Sequence, residues 1–207
     1  RASTGPVDEG GVGGGTGMIC HSFKGGIGTS SRVIEVAGET YTLGVLVQAN
    51  YGAREDLTVS GVPVGKEITD LQRVRNRNSQ DGDGSIIVIV ATDAPLVAHQ
   101  CKRLARRIPL GIARVGTVAH NGSGDIFIAF STANPGAAYA KGTVSVNMVP
   151  NGKMNPLFKA TVQATEEAII NALVAAEDMV GVNGNTVYAL PPDRLRAVLK
   201  KYNRLSE

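Results

Sequence analysis

Gly84-Ser85-Ile86-Ile87-Val88-Ile89-Val90-Ala91-Thr92-Asp93 is the stretch that decides the fold. Five β-branched residues in succession, Ile86 to Val90, predict a strand buried on both faces. The run before it, Asn76-Arg77-Asn78-Ser79-Gln80-Asp81-Gly82-Asp83-Gly84, is polar throughout and reads as a loop. Ser85 stands where that loop enters the centre of a sheet.

The 207 residues suffice for one large domain or two small ones, and 43 % hydrophobic content supports a proper core. Net charge is +3 with no long basic block, which gives nucleic-acid binding poor support. Cys20 and Cys101 are too few for a disulfide framework and read as small buried hydrophobes. No stretch approaches the roughly 20 apolar residues of a membrane span. No secretory signal pattern is visible, and the chain opens at Arg1 without Met, so a segment upstream is expected. A soluble, cytoplasmic protein is the default expectation.

Residues 1–31 are rich in glycine: Gly10-Gly11-Val12-Gly13-Gly14-Gly15-Thr16-Gly17-Met18, then Lys24-Gly25-Gly26-Ile27-Gly28. No Gly-Lys-Ser/Thr follows at the phosphate-loop spacing, so a pocket wall or hairpin around a buried site fits better. Residues 32–36 and 40–48 predict two strands joined at Ala37-Gly38-Glu39, and a short strand is expected around Leu57-Thr58-Val59. After the central strand, Thr92 or Asp93 is placed to cap a helix from about Ala94 to Arg107. Its charged side, Lys102, Arg103, Arg106 and Arg107, reads as a solvated face. Further strands are expected at 126–132 and 142–149. Helices are expected from Leu157 to about Met179 and from Asp193 to about Asn203. Hairpins with two long amphipathic helices imply stacked α and β layers.

The chemistry narrows by exclusion. His21, His99 and His120 are scattered, without a zinc-type spacing, and no metal or cofactor is expected. A serine catalyst lacking histidine needs another base, and an N-terminal residue carries one. Its α-amine ordinarily titrates at about 7.7–8.0 and is able to take the proton of its own hydroxyl. Ser85 would gain that amine only if the Gly84–Ser85 bond broke, through attack of its hydroxyl on the Gly84 carbonyl. On these residues alone, Gly-Ser before a strand reads as an ordinary loop-to-strand junction. Asn50 alone reads as a turn residue, and Ser123-Gly124-Asp125 as a tight turn.

Six segments taken together change that weighting: Gly10 to Met18, Phe23 to Arg32, Val47-Gln48-Ala49-Asn50, Asp83-Gly84-Ser85-Ile86-Ile87-Val88, Ala91-Thr92-Asp93-Ala94-Pro95-Leu96, and Gly122-Ser123-Gly124-Asp125. In this order they resemble the L-aminopeptidase/D-amino-acid esterase family, which includes the β-peptidyl aminopeptidases. The resemblance implies an α/β fold, a four-layer α/β/β/α sandwich of the N-terminal-nucleophile type. It also implies self-cleavage at Gly84-Ser85, with residues 1–84 as the C-terminal part of an α-chain and 85–207 as a β-chain of one domain. Ser85 matches the nucleophile, and Asn50 the asparagine whose amide helps form the oxyanion hole. Ser123 matches a serine that orients the nucleophile or relays a proton. Asp125 stands where some members have Glu, placed to hold an ammonium group. A tyrosine that completes the family's oxyanion hole falls upstream of this sequence. The implied substrates are peptides, aminoacyl amides and esters with a free amino end, and the implied assembly is a homo-oligomer of αβ units. An acyltransferase of similar self-cleaving architecture and a non-catalytic binding member are the alternatives.

Overall fold

A short hairpin, β1 (Ile19–Cys20) and β2 (Phe23–Lys24), leads into two long strands, β3 (Gly26–Val36) and β4 (Glu39–Asn50), in the computed structural model. The structure describes residues 4–75 and 84–205. Of the expected polar loop 76–84, residues 76–83 lie outside the described residues. The β3–β4 turn is Ala37-Gly38, both left-handed at φ 56° and 87°, the two-residue geometry whose twist matches the flanking strands. One helical turn, α1 (Val64–Glu67), precedes the central strand β5 (Ser85–Thr92). Helices α2 (Ala98–Ala105) and α3 (Ile108–Val115) carry the chain over to β6 (Ile126–Ser131), parallel to β5. The long helix α4 (Asn155–Val174), a small hairpin of β7 (Met179–Val180) and β8 (Thr186–Val187), and α5 (Pro192–Lys201) complete it.

The main sheet has the order β3-β4-β5-β6. Its buried face is set by direct partners: Leu43 with Thr92, Val45 with Val90, Val47 with Val88, and Ala49 with Ile86. Helix α4 lies on this face at Gly28, where an added Cβ would fall 2.0 Å from the Ala168 carbonyl oxygen. A residue with any side chain there would push the helix off the sheet.

The prediction that the β5 run is buried on both faces is corrected. Ile86, Val88 and Val90 are fully buried, whereas Ile87 and Ile89 are half-buried. On the neighbouring β6, Ile126, Ile128 and Phe130 are 53 %, 48 % and 45 % exposed on that second face. Helices of the described residues cover one face only. The β-branched run reflects a strand in mid-sheet whose second face stays apolar.

Other expectations also differ, beginning with the strand expected at 32–36, which starts at Gly26. The expected helix from Ala94 begins at Ala98 and divides into α2 and α3. Thr92 Oγ donates to the Thr42 carbonyl, and Asp93 Oδ1 accepts the Thr42 N–H, so both are used by the sheet rather than as caps. Gln100 Oε1 instead accepts the N–H of Val97 just before α2. Of the expected solvated face, Arg103 and Arg107 stack on the Phe158 ring. The expected strand 142–149 makes no ladder among the described residues. Val144, Val146 and Met148 alternate but stay nearly half exposed, and Asn134 grips the backbone of Asn147. Helix α4 ends at Val174 rather than Met179, because Met179 pairs with Val187. Among the described residues, Leu57–Val59 forms only an isolated Val59–Val62 bridge.

Candidate active site

Ser85 is the first residue of β5, and its ladder partner is Asn50, the last of β4. Both lie on the sheet's second face, at its end. Gly84 packs so tightly here that an added Cβ would fall 2.2 Å from the Asn50 carbonyl oxygen and 2.8 Å from Tyr51 Cα. Only glycine enters this strand without displacing β4.

The turn before β6 closes over Ser85 from the other side. Gly124 N–H donates to Ser85 Oγ at 2.9 Å. Ser123 Oγ donates to Asp125 Oδ1 at 2.7 Å, and Ile86 N–H donates to the same oxygen at 3.0 Å. Asp125 thereby pins the start of β5, and neither bond uses its Oδ2. The turn is closed by Ser123 N–H to the His120 carbonyl at 2.9 Å.

Asn50 is held by its oxygen: Ile19 N–H donates to Oδ1 at 2.9 Å. An amide nitrogen cannot accept that bond, so the contact fixes which way the carboxamide points and directs its NH₂ elsewhere. Asn50, Gly84, Ser123 and Asp125 all line one cavity of about 570 Å³, with His120 and Arg54 on its wall. The volume suits a small ligand.

The segment after Asn50 is clamped from below. His21, fully buried, donates from Nδ1 to the Ala53 carbonyl at 2.8 Å, while its backbone N–H donates to the Tyr51 carbonyl at 2.7 Å. Its ring rests on Gly52, where a Cβ would fall within 2.4 Å of it, and meets the Tyr51 ring edge-on at 5.0 Å between centroids. Burial depresses the His21 pKa and keeps the ring neutral. Arg54 lies across Phe23 and donates to the carbonyls of His21, Ser22, Ile68 and Leu71. The remaining histidines stand apart: His99 bonds Asn151 at the surface, and His120 is 3.9 Å from Asp56. Burial pushes the Cys20 thiol up to about 12 and raises that of Cys101, so neither is a nucleophile. Among the described residues no group of His, Cys, Asp and Glu is placed to hold a metal ion.

The structure thus brings Asn50, Ser85, Ser123 and Asp125 to one end of the sheet. Two contributors carry no side-chain signature: the Gly124 N–H on Ser85 Oγ, and the Ile19 N–H that orients Asn50. His21, read from the sequence only as one of three scattered histidines, positions Tyr51 to Ala53.

The sequence pattern of peptidase family S58 matches residues 1–187. The chain belongs to peptidase family S58. Among relatives in this family, it is 53 % identical to the β-peptidyl aminopeptidase BapA of Sphingosinicella microcystinivorans, over 99 % of this chain and 54 % of that protein. With BapA of Sphingosinicella xenopeptidilytica the identity is 46 %, over 96 % and 52 %. The chain therefore spans about half the length of the curated relatives it matches. Its fold superposes at a TM-score of 0.89 and 49 % identity on the L-aminopeptidase D-Ala-esterase/amidase of Ochrobactrum anthropi, covering 99 % of this chain and 55 % of that one. That enzyme is described as a prototype serine aminopeptidase with a variant of the Ntn hydrolase fold. The family expected from the sequence is the family found, and the fold is of that α/β kind.

Proposed function

We propose that the protein is a self-processing serine aminopeptidase that releases amino-terminal residues from peptides, amides or esters. The observation that supports this most is the placement of Ser85 Oγ between the Gly124 N–H and the ladder partner Asn50, with Gly84 wedged on the preceding bond. In self-cleavage Ser85 Oγ adds to the Gly84 carbonyl, the amide shifts to an ester, and water hydrolyses the ester. Gly84 leaves as a carboxylate and Ser85 gains a free α-amine. That amine then takes the Oγ proton as Oγ attacks the first amide carbonyl of the substrate. Asn50 Nδ2 donates to the developing oxyanion, a contribution of about 2.7–4 kcal/mol for one such donor. The Ser85 ammonium returns its proton to the departing amine, and water releases the acyl group. Asp125 attracts the substrate's own ammonium, with Ser123 holding the carboxylate in place.

Residues 1–84 and 85–207 form the two processed chains. Eight rungs from Leu43–Thr92 to Asn50–Ser85 hold them together, with α4 of the second packed on β3 of the first. The apolar second face of the sheet, with Ile126, Ile128 and Phe130 exposed, is suited to the second sheet of a four-layer sandwich.

Turnover of an aminoacyl anilide tests the activity. The wild-type protein is expected to cleave the free-amine form, to leave its N-acetyl form intact, and to lose turnover in Ser85→Ala. Equal cleavage of both forms, or unchanged turnover in Ser85→Ala, would refute the assignment.

A further inference from the structure

Lys24 is 1 % exposed, yet none of its hydrogen-bond partners among the described residues is a carboxylate. Its ammonium donates to three backbone carbonyls: Gly15 at 3.0 Å, Met18 at 2.9 Å and Gly25 at 2.7 Å. Three donors meet three acceptors, so the group is satisfied by neutral carbonyls, with no carboxylate bonded to it among the described residues. Burying such a charge is costly, and an apolar side chain of similar length would fill the volume without that cost.

One of the three carbonyls connects Lys24 to the candidate site. The Met18 carbonyl and the Ile19 N–H are the two ends of one peptide unit. The first accepts from Lys24, and the second donates to Asn50 Oδ1. The order is therefore ammonium, Met18–Ile19 peptide, Asn50 carboxamide, each aligned head to tail with the next. A cation at the carbonyl end withdraws electron density through the conjugated peptide and strengthens its N–H as a donor. That N–H, drawing on Oδ1, does the same to the Asn50 carboxamide, whose Nδ2 protons become more positive.

We infer that Lys24 is a positioning residue for the oxyanion hole: through the Met18–Ile19 peptide it orients the Asn50 amide and strengthens its donation to the oxyanion. This rests on the reading that Asn50 donates to the oxyanion. Because the negative charge develops only in the transition state, the effect belongs to kcat rather than to substrate binding.

A double-mutant cycle on the whole protein tests it, with rates expressed per mole of processed enzyme and an aminoacyl anilide as substrate. Lys24→Gln keeps two N–H donors for the carbonyls and removes the charge. It is expected to lower kcat by about tenfold with KM changed less than about twofold, and Lys24→Arg to restore part of the loss. In an Asn50→Ala background, Lys24→Gln is expected to change kcat by less than about twofold, because the donor it acts through is gone. An equal loss in both backgrounds, a loss confined to KM, or no loss would overturn the inference while leaving the Asn50 role intact. An unchanged kcat in Asn50→Ala itself would refute the oxyanion reading, and the Lys24 role with it. Failure of both Lys24→Gln and Lys24→Met to fold, with Lys24→Arg folded, would assign Lys24 to the fold alone and also overturn it.

Discussion

Asn50 and Ser85 form the last rung of the β4–β5 ladder, one closing its strand and the other opening its own. The separation of two side chains at the candidate site is thus set by backbone pairing rather than by loops. A direct antiparallel pair holds its Cβ atoms about 4.5–5.5 Å apart, within the span of a small substrate carbonyl. The same pairing would keep Ser85 in place once Gly84 no longer tethers it.

Gly84→Ala tests the wedge. The new Cβ would press on the Asn50 carbonyl oxygen and move the bond to be broken. Self-cleavage is expected to slow by at least about tenfold, since displacement of reacting groups by about 1 Å costs that much or more. Overpacking is expected to reduce stability by about 1–3 kcal/mol. Gel analysis over time after synthesis reads the first effect, and thermal unfolding the second. Processing at the wild-type rate would contradict the geometry.

The proposed function adds a substrate-binding role to the hydrogen bonds Asp125 makes, and substitution separates the two. Asp125→Asn keeps an oxygen to accept the Ile86 N–H and the Ser123 hydroxyl, so Tm should stay near wild type while turnover of free-amine substrates falls. Asp125→Ala leaves the Ile86 N–H unpaired and should lose about 1–3 kcal/mol as well. Equal destabilisation by both variants would contradict the hydrogen-bond role.

His21 gives the fold an acid sensitivity. Its native pKa is depressed by burial below the ordinary value of 6.5. At low pH the unfolded chain binds a proton on this ring that the folded chain excludes. Its contribution is therefore fully present above about pH 6.5 and is lost as pH falls toward the native pKa. Thermal unfolding from about pH 7.5 down to about pH 5 should show Tm falling more steeply in wild type than in His21→Asn. Asparagine tolerates the left-handed φ of 48° at this position, which keeps the comparison fair. Parallel curves would contradict the assignment.

Much of this was legible in the sequence because it depends on local chemistry. The Ala37-Gly38 turn, the β-branched β5 and the proline-initiated helices α4 and α5 follow from short-range preferences, and six short segments, four of them marked by glycine, point to the family. What escaped depends on distant partners. β3 starts at Gly26 because Gly26 admits the backbone at Gly10 and Gly28 admits α4, which no strand propensity anticipates. Thr92 and Asp93 have the chemistry of a helix cap, but β4 lies alongside and takes their hydrogen bonds. Val144, Val146 and Met148 alternate as a strand does, yet no neighbouring strand pairs with them among the described residues. At the site, Asn50, Ser85, Ser123 and Asp125 were nameable as side chains. The Gly124 and Ile19 N–H donors were not, since every residue type but proline carries one.

The most direct test of the whole account is the mass of the purified, active protein. Two fragments are expected, the second beginning at Ser85 with a free amine, and a single unbroken chain in Ser85→Ala. Full aminopeptidase activity from a chain still continuous between Gly84 and Ser85 would contradict it.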